Sequence, residues 1–280
     1  MKEKKFSVNY IQFKVCVKRY YELIFSDKVS MVMLLLQAPL MLVILSLVCP
    51  RDCFTNIKIL WQSDTTLFII VVMAAMMGLL NSYREVCKER DIFAREYDAG
   101  LDTTAYILSK LFVLGSVCLV QSFILFAGSY LVIDFPNPSP VFTQALYWIV
   151  LFLIMFSSSV TGIFISSILK SSDSAILPVL LVLIMQVVMS GNIVELEGFL
   201  ETLSIFCVSR WGLSALGQVF NRNGLFPTIP ETQNACYDQP LLLCIVVLLL
   251  ICAILTVISI VWLNLSFKKR QKKFKNGPAK

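Results

Sequence analysis

The sequence contains no histidine. That absence removes a Ser-His-Asp triad, an imidazole general base and any His-ligated metal site together. Charge is also scarce: 15% of residues are charged and 58% are hydrophobic, whereas soluble domains carry about 25% and 45–50%. The phosphate-binding pattern G-x-x-x-x-G-K-[ST] is missing, so this chain offers no P-loop for a nucleotide. Nor do the cysteines form a disulfide framework, being nine in number and scattered. Cys207 and Cys236 are the pair that would staple the longest extramembrane segment, and Cys49-x-x-x-Cys53 lacks the further ligands a metal needs.

What is present is oil in long runs, with a mean hydropathy of +0.79. Six segments, 29–48, 65–83, 104–133, 142–169, 174–191 and 240–265, approach or exceed the ~20 residues that cross a ~30 Å hydrocarbon core. Their interiors hold no Asp, Glu, Lys or Arg except Lys110, which the sequence places near an interface where it could snorkel. With both termini in the cytoplasm, the outside keeps only Arg51, Lys58, Arg210 and Arg222 of the 24 Lys and Arg residues. That bias sets the orientation. LSLVC at 45–49 is a poor lipoprotein cleavage site, since Val48 is too large and the preceding stretch too long. The expected fold is all-α and membrane-embedded. Residues 1–28 form a cytoplasmic amphipathic segment, 29–267 a six-helix domain and 268–280 a basic cytoplasmic tail.

Outside the spans, residues 10–28 place Phe13, Val17, Tyr20, Tyr21 and Ile24 on one helical face, which predicts a basic amphipathic helix on the membrane surface. Pro39 predicts a kink in the first span, and Gln37, Gln121, Gln144 and Gln186 are expected to hydrogen-bond between helices. DFPNPSPV at 134–141 reads as an outer turn. In 192–239 an apolar but interrupted stretch predicts a re-entrant or interfacial helix pair, followed by the irregular NRNGLFPTIPETQNACYDQP. The tail FKKRQKKFKNGPAK suits anionic lipid rather than nucleic acid.

One stretch is out of character. EVCKERDIFAREY at 85–97 is charge-dense and helix-prone, with Asp91 and Arg95 spaced as an acid-before-base pair and Phe93 and Tyr97 as an aromatic pair. Gly100 is a natural stop, and Asp102 can cap the next helix. A charged rim around an apolar anchor suits docking of a soluble partner. The chain lacks charge at mid-membrane, which disfavours proton coupling, although an ATP-independent secondary transporter or a channel remains open. A scaffold without cargo is the third alternative.

KERDIFAREYDAGLDTTAYILSK (88–110) resembles the segment joining the second and third spans of type-2 ABC transporter permeases, closest to the G-subfamily exporters and their bacterial relatives. The matching residues are Glu89, Arg90, Phe93, Arg95, Glu96, Gly100, Tyr106, Ser109 and Lys110. GIFISSILKSSDSAILPVLLVLIMQVVMSG (162–191), SRWGLSALGQVF (209–220) and QFKVCVKRYYELIFSDK (12–28) are similar to that family's fourth and fifth spans, outer-loop helix and connecting helix. The resemblance implies a non-enzymatic permease subunit in the plasma membrane that pairs with a second permease, identical or not. It implies a separate ATP-binding cassette subunit carrying ATP and Mg²⁺. It makes 85–97 a coupling helix with Glu89, Arg90, Phe93, Arg95, Glu96 and Tyr97 as docking residues. It also lines a substrate path for hydrophobic or amphipathic cargo with Phe68, Met73, Met76, Met77, Leu183, Gln186 and Val187.

Overall fold

The computed structural model describes residues 10–55, 61–136, 140–193, 198–225 and 235–275. Lys58, part of the 134–141 turn, most of the polar segment after Gly224 and the two chain ends lie outside the described residues. The described residues form, in order, α1 (Tyr10–Ser26), α2 (Lys28–Val48), α3 (Trp61–Ser82), α4 (Arg90–Asp98), α5 (Thr103–Val132), α6 (Pro140–Ile168), α7 (Ser172–Val188), α8 (Phe199–Ser204), α9 (Val208–Val219) and α10 (Leu241–Lys275). Among the described residues there is no strand.

Among the described residues five helices, those carrying α2, α3, α5, α6 and α10, are long and apolar enough to cross a membrane. The segment expected at 174–191 forms the apolar α7, which is shorter at 17 residues. The last helix departs most from expectation. α10 runs 35 residues and carries the first part of the basic tail as continuous helix, because Lys, Arg and Gln are good helix formers with no breaker before Gly277.

α3 and α6 form the spine of the bundle. Ala74, Gly78 and Ser82 repeat every fourth residue on α3, and Ser158, Gly162 and Ser166 do so on α6. Stripes of this kind let backbones approach closely. The approach is so tight that a Cβ on Gly78 would lie 2.0 Å from the Met155 carbonyl oxygen, and one on Gly162 2.0 Å from Ser82 Oγ. Amides then tie the neighbours. Gln121 on α5, fully buried, accepts from Asn81 Nδ2 (2.6 Å) and donates to the Leu34 carbonyl of α2 (2.7 Å), one turn before Pro39. Gln186 on α7 accepts the Ser209 N–H at the start of α9 (2.8 Å).

One face of the bundle carries α1, α4 and the end of α10. The opposite face is closed by the loops around Phe54, Phe135, Phe220 and Tyr237. Phe135 and Phe220 stack at 4.5 Å, with Tyr147 and Phe54 packed around them. Arg222, 2% exposed, grips Asp64 at the start of α3 with Nε–Oδ1 2.9 Å and Nη2–Oδ2 3.0 Å, and Tyr237 OH donates to the same carboxylate at 3.0 Å. Burial and the adjacent carboxylate hold the Tyr237 phenol well above its ordinary pKa, so it remains a donor. Asn221 turns the chain out of α9 in the left-handed region (φ 47°) and so delivers Arg222 to this latch. Cys207 and Cys236, the candidate pair for a bridge, are not joined to each other; Cys236 Sγ donates to the Gly191 carbonyl at 2.8 Å.

Two stability tests follow from these contacts. Gly78→Leu should lower the thermal midpoint of the detergent-solubilised protein more than Gly115→Ala. Its obstacle is backbone, and overpacking costs about 1–3 kcal/mol or more; equal midpoints would disprove the α3–α6 contact. Arg222→Met should cost about 3–5 kcal/mol by stranding the Asp64 carboxylate, whereas Arg222→Met with Asp64→Leu should recover most of that loss. An additive double mutant would mean that the two residues are not coupled.

Candidate functional site

The charge-dense stretch folds as a 3₁₀ turn, Cys87–Glu89, leading into α4. Gly100 (φ 105°) ends it, a backbone conformation that suits glycine, and Asp102 Oδ1 accepts the Thr104 N–H at 3.4 Å to cap α5. The stop and the cap fall where the sequence places them. Phe93 and Tyr97 also meet as expected, with ring centroids 6.0 Å apart. Among the described residues no ion pair joins Asp91 to Arg95, and both side chains are exposed.

The inner face of this element is anchored in four directions. Toward α5, Glu89 Oε2 lies 2.8 Å from Lys110 Nζ and accepts from Tyr106 OH at 3.2 Å. Glu85, one turn earlier, lies 3.8 Å from the same ammonium and accepts from Tyr20 OH of α1. The Tyr20 ring faces Lys110 Nζ at 4.0 Å and the Tyr106 ring at 5.4 Å. Burial first, then the Glu85 carboxylate, push the Tyr20 phenol well above its ordinary value and keep it protonated as a donor. Lys110 is 1% exposed, which corrects the expectation that it snorkels to the interface. Two carboxylates spaced i, i+4 and two aromatic faces replace the water it gives up.

Toward α6, Ser166 Oγ accepts the backbone N–H groups of Val86 and Cys87, both at 3.0 Å. Arg90 donates to the Ser167 carbonyl (3.3 Å) and to that of Leu169. A cation thus satisfies the carbonyls that the end of α6 leaves open. Toward α10, Phe93 packs on Phe267 at 5.0 Å and on Tyr106 at 4.3 Å, and Tyr97 OH donates to Asn264 Oδ1 at 2.9 Å. Toward α1, Arg19 pairs with Glu96, and Gln12 accepts the Asp102 N–H at 2.9 Å.

The expected docking residues therefore divide. Glu89 and Phe93 are buried, Arg90, Glu96 and Tyr97 are partly buried and committed to neighbouring helices, and Arg95 alone of the six is exposed. The exposed face is formed by Asp91, Ile92 and Arg95, one side of α4 by their spacing, with Arg84 and Lys88 exposed in the turn ahead of it. Ile92, 53% exposed, is its apolar centre. The resemblance picks out Phe93 because it lies in the matched pattern. Ile92 was missed because it stands off the aromatic stripe, and that displacement is the signal that could have found it. Glu85, Tyr20, Ser166 and Phe267 were missed as well; of these, Glu85 was legible as a second acid one turn before Glu89.

The expected path residues divide similarly. Met73, Met77 and Gln186 are buried within the bundle, and Gln186 is occupied by α9. Phe68, Met76, Leu183 and Val187 are half-buried on α3 and α7.

Residues 11–221 match the family model described as ABC-2 type transporter. The chain is also similar to the ABC transporter ATP-binding/permease protein Rv1747 of Mycobacterium tuberculosis, 30% identical over 215 residues that cover 73% of this chain and 25% of that protein. It thus spans about a quarter of that relative's length. With the match extending over most of an all-helical, multi-pass chain, this protein belongs to the ABC-2 type transporter family as a membrane transport permease.

Proposed function

We propose that this permease is the membrane half of an ATP-driven exporter and that α4 receives the stroke of a separate ATP-binding subunit. The observation that carries this reading is the two-sided character of α4. Its inner face is bonded to α1, α5, α6 and α10, while its outer face presents charges of both signs around one exposed isoleucine. A helix held this way transmits displacement, because no soft contact separates it from the bundle. The family pairs with ATP-binding cassette subunits, and the relative named above combines ATP-binding and permease parts by its name, which supports an ATPase as the partner.

In this mechanism ATP and Mg²⁺ bind the partner subunits, whose closure pushes the Ile92 face of two permeases, identical or different. Each bundle tilts, and the path between protomers opens on the far side. Phe68, Met76, Leu183 and Val187 supply the soft apolar wall for hydrophobic or amphipathic cargo. Differential affinity of the two states for that cargo gives the direction. The Lys and Arg distribution supports cytoplasmic termini, and the plasma membrane is the proposed location.

Ile92→Asp with Arg95→Glu should leave the bundle folded and cut ATP-dependent transport by the reconstituted complex roughly tenfold or more, the equivalent of about 1.4 kcal/mol. Undiminished transport would remove the docking role. Failure of any ATPase subunit to co-purify with the wild type would favour ATP-independent transport. By contrast, Lys110→Met should act on stability, costing about 3–5 kcal/mol by leaving the buried Glu89 carboxylate without its counter-charge. A drop in transport with no change in thermal midpoint would contradict the anchoring role.

A further inference from the structure

The last helix is longer than a membrane span requires. α10's 35 residues extend about 52 Å at 1.5 Å per residue, and about 49 Å along the bilayer normal at an ordinary ~20° tilt. Leu241, Leu242 and Leu243 are apolar, so the helix starts no further out than the edge of the hydrocarbon. The ~30 Å core and one headgroup layer take up about 37 Å. About 12 Å of helix, roughly its last eight residues, therefore stands clear of the lipid on the α4 side.

Those residues are KKRQKKFK, Lys268 to Lys275, with six cations and no acid. Lys268, Lys269 and Arg270 are exposed. The stretch is helical throughout, which sets Lys268 over Lys272 and Lys269 over Lys273 as like-charge i, i+4 pairs. Such pairs weaken a helix by itself, and an anionic surface laid against them offsets the repulsion.

α4 fixes where this basic end lies. Tyr97 OH donates to Asn264 Oδ1 at 2.9 Å, and the Phe93 and Tyr97 rings pack on Phe267 at 5.0 Å and 5.7 Å. Gln271 Nε2 then donates to Asp98 Oδ1 at 2.7 Å. From Asn264 to Gln271 is about 10 Å, roughly one helix diameter. α10 thus passes α4 from edge to edge, and 272–275 run on beyond it. The far end is also more than a Debye length, ~8 Å at 0.15 M salt, from the headgroups, so anionic lipid is largely screened from it. A soluble partner docked on α4 is not.

We infer that the basic end of α10 is a second contact for the ATP-binding subunit, taking an acidic surface of that subunit beside the α4 contact. The inference rests on the docking role proposed above for α4.

The test uses the permease with its co-purified ATP-binding subunit in phosphatidylcholine nanodiscs. Carbodiimide, which joins a lysine amine to a touching carboxylate, should link lysines of 268–275 to Asp or Glu residues of that subunit. Lys268→Glu with Lys269→Glu should weaken binding of the subunit roughly tenfold, with the thermal midpoint of the permease unchanged. Lys268→Gln with Lys269→Gln should fall between that variant and the wild type. The differences should vanish in 1 M salt, where the Debye length is ~3 Å. Adducts confined to the permease, or undiminished binding by the charge-reversed variant, would overturn the proposal. So would a loss of binding that appears only when phosphatidylglycerol replaces part of the phosphatidylcholine, which would make lipid the partner. Weakened binding in Ile92→Asp with Arg95→Glu, beside full binding in Lys268→Glu with Lys269→Glu, would remove the α10 contact and leave the α4 reading standing. Full binding in both would remove both.

Discussion

An ammonium group withdrawn from water beside a bilayer must find its counter-charge inside the protein, and Lys110 dictates how this bundle is closed at one end. Glu89 at 2.8 Å and Glu85 at 3.8 Å supply the charge. The Tyr20 and Tyr106 rings supply the walls, and their hydroxyls bond the same carboxylates. Three separate parts of the chain, α1, the turn before α4, and α5, thus share one unit that cannot be dismantled piecemeal. Removing Lys110 leaves the buried Glu89 carboxylate unpaired, which costs more than the pair contributes. The amphipathic α1 is held to the bundle by this unit and by Arg19–Glu96, not by the membrane surface alone.

The arrangement has a mechanical consequence. Because Val86, Cys87 and Arg90 bond the end of α6 while Phe93 and Tyr97 bond α10, α4 has no freedom to slide independently of its neighbours. The opposite face is fastened as firmly by the Asp64–Arg222–Tyr237 latch. Between them, α3 and α6 touch backbone to backbone at Gly78 and Gly162. A bundle fixed at both ends and along its spine is suited to rigid-body tilting rather than internal shear.

The long apolar helices were legible because each is an unbroken apolar run, although α10 continues well past the point where polarity returns. The stop at Gly100 and the cap at Asp102 were legible because they rest on local backbone chemistry. Which face of 85–97 points outward was not. Its pattern puts aromatics and charges on every side, and the deciding partners, Tyr20, Ser166 and Phe267, lie far away in sequence. Lys110 was misjudged for a similar reason: position in a span suggests snorkelling, and only the fold reveals that Glu85 and Glu89 are closer than water. Of the path residues that the resemblance implies, Met73, Met77 and Gln186 are buried within the bundle, because a resemblance names spans and not the face each side chain presents.

α7 is where length and burial pull in different directions. Its 17 residues reach about 25 Å, less than a ~30 Å hydrocarbon core. The deficit falls at its end near Met189–Gly191, where Gly191 adopts φ 84° and the chain turns away. Gln186, buried one turn earlier, uses its amide oxygen to accept the Ser209 N–H in the first turn of α9. α9 in turn buries ten of its 12 residues against α3, α6 and α10, so it has almost no face left for water. The two helices therefore complete each other. α9 fills the space beyond the short end of α7, and the Gln186–Ser209 bond satisfies there a helix terminus that neither lipid nor water reaches.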